Sequence, residues 1–112
     1  MRRTSLGDTP DEGVSHDPAI PKRVLIRAGT IPHVTQLATS RIPPGASITP
    51  HRHADMFEVF EVVAGTGCMR VDEAVFPIGP GDCIVVEPGE EHTLTANADT
   101  QLVVTVLGVT VA

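Results

Sequence analysis

Histidine is the residue type with the most chemical meaning in this chain. His51 and His53 flank Arg52 in Pro50-His51-Arg52-His53. In an extended backbone, residues two apart project to one face, so both imidazoles can meet at one point. Glu58 opens the next stretch that reads as a strand, with Phe60 and Val62 on its face. Glu61 falls on the opposite face with Val59 and Val63, which makes it the poorer ligand of the two. His92 follows Pro88-Gly89 and starts another such stretch, with Leu94 on its side. Three neutral imidazoles and one carboxylate suit a single divalent transition-metal ion (Mn, Fe, Co, Ni, Cu or Zn) and are too nitrogen-rich for Ca or Mg. Taken singly, each residue has a plainer reading: polar residues near a sheet edge, a solvated strand glutamate, a turn-capping histidine. The register of the whole pattern favours the metal.

The elements that must position these groups are short. Val24 to Ile26, Val34 to Thr39, Glu58 to Val63, Cys68 to Val71, Cys83 to Val86, His92 to Thr95 and Leu102 to Val109 are rich in Val, Ile and Thr and read as strands. Pro44-Gly45, Pro80-Gly81 and Pro88-Gly89 each suit a type II turn, and Gly65-Thr66-Gly67 is a further tight connection. No amphipathic helical stripe is present. Many short strands at regular turn spacing mean an antiparallel sandwich or barrel. Residues 1–21 hold three prolines and no periodic apolar pattern, and are expected to form a flexible N-terminal arm in which His16 is solvated; the domain proper is expected over 22–112.

The pattern closely resembles the cupin superfamily, of the small single-domain type. Its first motif is glycine, five residues, His-x-His, three or four residues, glutamate, six residues, glycine. Gly45, His51, His53, Glu58 and Gly65 fit every position. The second motif is matched by Gly81-Asp82 and Pro88-Gly89-Glu-Glu-His92, with two departures. Glu87 stands where the family usually has a proline, and Asn97 lies one residue late. The resemblance implies an all-β jelly-roll barrel with His51, His53, Glu58 and His92 as ligands to one divalent ion. A six-coordinate ion on four such ligands keeps two positions for water or substrate. Cupins of this size commonly form homodimers, and the N-terminal arm is suited to exchange between copies.

Composition prunes the functions. The formal charge of −6 argues against nucleic acid as a partner. No stretch approaches the ~20 apolar residues of a membrane helix, and no signal peptide is visible, so a cytoplasmic location is expected. Cys68 and Cys83 read as buried free thiols rather than as a disulfide framework. The chain has no Tyr and no Trp, which excludes a tyrosinate base or a Cys–Tyr crosslink. Arg41, Arg52 and Arg70 are the candidate cations for an anionic substrate, with Arg52 pointing away from the metal. A small apolar pocket is expected from Met56, Phe60, Val62, Met69, Val71, Ile84, Val86 and Leu94. Asp55 and Glu91 are candidate anchors for the ligand histidines, with an exposed-loop reading favoured for both.

With so few auxiliary acids and bases, chemistry would run through the metal. Glu58 is the catalytic candidate, able to act as ligand and, by swinging off, as proton acceptor if its pKa lies near working pH. The expected function is a metalloenzyme acting on a small organic molecule, of isomerase, cyclase, lyase or dioxygenase type. The alternative is a non-catalytic module that binds a small ligand or metal.

Overall fold

The computed structural model describes all 112 residues. A 3₁₀ turn at Leu6–Asp8 precedes nine strands: β1 Glu12–Val14, β2 Asp17–Arg27, β3 Val34–Ile42, β4 Met56–Ala64, β5 Gly67–Val71, β6 Ala74–Ile78, β7 Cys83–Val86, β8 His92–Ala96 and β9 Leu102–Thr110. They form a six-stranded sheet in the order β1-β2-β3-β9-β4-β7 and a three-stranded sheet β6-β5-β8. Every pairing is antiparallel. The strand and turn pattern predicts an antiparallel all-β fold, and the resemblance to cupins narrows it to this barrel.

Alternation along each strand sets the interior. Glu58, Phe60 and Val62 on β4, His92, Leu94 and Ala96 on β8, and Leu102, Val104 and Val106 on β9 are buried, while their neighbours are more open. Side chains from both sheets join in one core in which Ile42, Met69, Leu94 and Leu102 are fully buried. Gly45, Gly81 and Gly89 take φ values of 74°, 89° and 85°, the left-handed region that the second central position of a type II turn demands.

Three expectations change on contact with the fold. The boundary between Pro21 and Lys22 falls inside β2, and residues 12–21 lie in strands β1 and β2 or the turn between them. Ile20 belongs to the core, and Asp11 holds both Arg23 and Arg41 by ion pairs. Pro18 and Pro21 hid this segment, because a strand pattern broken by prolines reads as a loop. The second change is β6, whose Pro77 pairs with Cys68. It escapes the sequence pattern for the same reason, and proline is tolerated there because β6 is the outer strand of its sheet. Third, both cysteines are free but neither is buried: Cys68 is half-buried, and Cys83 is exposed on β7, an edge strand. No helix is long and apolar enough to cross a membrane.

Candidate metal centre

His51 and His53 sit on the segment leading into β4, and Glu58 lies one turn of the strand pleat into β4 itself. His92 begins β8 on the other sheet. The main chain brings them together. His51 and His92 form an antiparallel bridge, exchanging N–H···O bonds of 3.2 and 2.9 Å. The Gly89 N–H donates to the His53 carbonyl at 2.7 Å, so the Pro88-Gly89 turn clasps the His-x-His segment. Arg52 points outward to Glu91, leaving its two neighbours on the inner side. Glu61 is exposed on the far face of β4, as the alternation requires.

The four side chains converge. His92 Nε2, His53 Nε2 and His51 Nε2 lie 2.9, 3.1 and 3.8 Å from Glu58 Oε1. One donor atom from each of the four residues lies within 4.8 Å of the others, so the group could hold one metal ion. Depth is graded: the His92 side chain is 1% exposed and that of His53 27%. The open side of the cluster is therefore at His53.

The tautomers identify the chemistry. His51 Nδ1 lies 2.9 Å from the Thr49 carbonyl, and His92 Nδ1 lies 3.1 Å from the Glu90 carbonyl. A carbonyl only accepts, so each Nδ1 carries the proton and each neutral ring turns an Nε2 lone pair toward the carboxylate. Lone pairs meeting a carboxylate at these distances call for positive charge among them. Protons supply it in acid, and a cation supplies it at neutral pH. The donor set therefore fits a divalent first-row transition ion.

Charge states follow from this crowding. Burial opposes ionisation of Glu58, yet in the metal-free cluster the His51, His92 and His53 imidazoles, when protonated, outweigh it and hold its carboxyl at about 2. The facing Glu58 carboxylate raises His51, against burial and with help from the Thr49 carbonyl. Burial lowers His53, with Glu58 opposing. A carboxylate held well below neutral pH is ionised there and available as a metal ligand.

Asp55 and Glu91 do not anchor the ligand imidazoles. Glu91 is engaged with Arg52 and Arg70, and main-chain carbonyls hold the Nδ1 atoms of His51 and His92. The Thr49 carbonyl is in turn positioned from β2, because Asp17 accepts bonds of 2.9 and 2.7 Å from the Thr49 N–H and hydroxyl. The two motif departures also find a role. The Glu87 N–H, which a proline would lack, donates to Glu90 Oε1 at 2.7 Å. Asn97 bonds Thr66 by side chain and main chain and accepts from the Gly45 N–H, joining the turns at either end of the first motif.

A cavity of about 250 Å³ opens over the cluster. Met56, Phe60 and Leu94 line it as expected, but Val62, Met69 and Val86 are core and Val71 and Ile84 pack against that core instead. Sequence reasoning missed the opposite wall, made by Val14, Ser15 and His16 of the first hairpin, Lys22 of β2, and Thr35, Gln36 and Ser40 of β3. His16 is exposed, yet its ring lies 5.0 Å from that of His51. The signal for Lys22 was its place between Ile20 and Val24 on one strand face.

A family model for the cupin domain matches residues 38–108. The chain is a cupin. Its matched region runs from β3 to β9 and includes all four metal-site residues of this cupin. It is 31% identical over 65 residues to the oxalate-binding protein of Thermotoga maritima, covering 58% of this cupin and 54% of that protein. The chain spans about half the length of the curated relatives it matches. Among solved structures, it resembles a predicted oxalate decarboxylase of T. maritima with a TM-score of 0.89 at 21% identity, over 98% of this cupin and 100% of that chain. The polyketide cyclase RemF of Streptomyces resistomycificus gives 0.81 at 22% identity, over 97% and 79%. At such identities the structural likeness speaks for the fold alone.

Proposed function

We propose that this cupin binds one divalent transition-metal ion on His51, His53, Glu58 and His92, and that it is a metalloenzyme acting on a small oxygen-donor organic acid. The observation that carries this reading is the convergence of three Nε2 atoms on one Glu58 oxygen, with the outer nitrogens of His51 and His92 already committed to carbonyls. An ion in that position acts as a Lewis acid on a carbonyl or carboxylate oxygen and lowers the pKa of bound water. The chain's own residues do the rest. Ile48, Phe60, Leu94 and Val106 give the cavity apolar walls that exclude water, and the open side at His53 admits the ligand. The cavity is smaller than the ~300–1,000 Å³ usual for drug-sized ligands, which restricts it to compact molecules. The name of the T. maritima relative, an oxalate-binding protein, supports a small carboxylate as the ligand class.

A second reading, binding without turnover, is favoured by one observation. Apart from His51, His53 and Glu58, His16 and Lys22 are the only titratable side chains lining the cavity. Elemental analysis of untagged protein, purified without a chelating column, is the first test. About one ion per chain is expected, and metal-stripped protein should take it back on titration. Failure of both would overturn the metal reading.

Acid should separate the ion from the fold. Metal affinity is expected to fall below pH ~6, where protons compete for the imidazoles. Glu58 is lowered from 4.5 to about 2, so its contribution to stability is fully present above the unfolded value and is lost as pH falls through the folded one. Between these ranges the chain should stay folded without its ion. Circular dichroism and a colorimetric metal indicator, followed through one acid titration, should show two events. A single simultaneous loss would mean that the barrel depends on the ion.

A further inference from the structure

Lys22 is 8% exposed, and lysine is almost never buried to that extent without a charged partner. No carboxylate pairs with it. Its Nζ donates to the neutral Oε1 of Gln36 at 3.2 Å, and Glu12, its register partner on β1, gives its carboxylate to Arg27. Both Lys22 and Gln36 line the cavity onto which His51, His53 and Glu58 open. Glu12 feels the Lys22 charge but is bound to Arg27, and a buried ammonium with no carboxylate in direct contact is costly unless an anion arrives to meet it.

The sheet register places this ammonium opposite the metal site. Gln36 on β3 pairs with Gly108 on β9, and Gly108 pairs with Glu58 on β4. Gln36, which holds the Lys22 head, therefore lies level with Glu58 and two strand spacings, about 10 Å of backbone, from it. The residue that separates them on the inner face is a glycine. A Cβ there would come within 2.1 Å of Thr35 Oγ1 and 3.6 Å of Met56 Sδ, so the glycine makes room for these two side chains, which line the cavity between Gln36 and Glu58.

We propose that Lys22, presented by Gln36, is the second anchor for the ligand and selects a short dicarboxylate, one end on the metal and the other on the ammonium. This rests on the metal reading above. Charge agrees with it: the ion's two positive charges, less the one on Glu58 and plus the one on Lys22, leave two for the ligand to neutralise. Cavity size limits the dianion to a few carbons.

The test is calorimetric binding of oxalate, malonate and succinate, each against acetate, to Mn(II)-loaded protein and its Lys22→Met and Lys22→Arg variants. At least one dicarboxylate should bind tenfold or more tightly than acetate, as a charge-assisted hydrogen bond warrants. Lys22→Met should remove that preference without changing Mn(II) affinity, and Lys22→Arg should keep most of it. A preference that survives Lys22→Met, or the absence of any preference in the parent, would overturn the proposal while leaving the metal reading intact. Failure to bind Mn(II) would overturn the metal reading instead. Thermal shifts of the metal-free protein with the same acids then decide on Lys22: stabilisation by a dicarboxylate that Lys22→Met removes supports it, and none overturns it. Should Lys22→Met not fold, loss of the preference in Gln36→Leu supports the proposal and its retention overturns it.

Discussion

His92→Ala is expected to lower metal affinity by at least ~100-fold, more than the ~10–100-fold typical of losing a group that merely supports a ligand. It should also lower thermal stability. The His92 side chain is fully buried, holds Glu58 through Nε2, and packs edge-on against Phe60 with ring centroids 5.7 Å apart. Truncation leaves a cavity and removes a partner from a buried carboxylate, together worth about 2–4 kcal/mol. For a chain of this length that is a fall in Tm of roughly 8–16 °C. Glu61→Ala is the control, since Glu61 is exposed on the other face of β4. It should leave metal affinity within about twofold, as a surface change away from the site warrants. Isothermal titration with Co(II) and thermal melts of metal-free protein measure both quantities. Loss of binding in Glu61→Ala would show the β4 register to be wrong.

Gly65→Ala should be the most damaging single-methyl change in the fold. Gly65 has φ of 80°, and an added Cβ would lie 2.0 Å from the Gln101 carbonyl oxygen and 3.1 Å from the Leu102 Cα. Main chain cannot swing aside as a side chain can. The left-handed conformation alone costs ~1–2 kcal/mol for alanine, and the clash should bring the total to about 3–5 kcal/mol. Gly81→Ala separates the two causes, because Gly81 shares the positive φ but meets nothing within 4 Å. It should lose only the conformational part. Chemical denaturation of both variants checks this, and equal losses would show that the contact with Gln101 yields easily.

The four metal-site residues were legible in the sequence because each lies where backbone geometry leaves little choice. The two-residue spacing of His51 and His53, the alternation from Glu58 to Val62, and the glycine-bearing turn before His92 are local patterns with one physical meaning. What was hidden depends on long-range pairing. Lys22 reads as a surface charge beside Arg23 until β1 and β3 enclose the strand that carries it. The anchors of His51 and His92 are carbonyls, which every residue possesses, so no side-chain pattern could announce them. Prolines 18, 21 and 77 concealed strand segments, because the penalty for proline in a sheet depends on which edge the missing N–H faces.

The bond from Asp17 to Thr49 has a wider consequence. Thr49 holds the outer nitrogen of His51 through its carbonyl, and Asp17 holds Thr49. The beginning of β2 and the metal site are therefore coupled mechanically across 32 residues of chain. Whatever lifts the first hairpin from the barrel loosens one imidazole of the cluster, and whatever tightens that imidazole holds the hairpin down. The outermost strands of the large sheet thus form a lever whose far end is a coordinating atom.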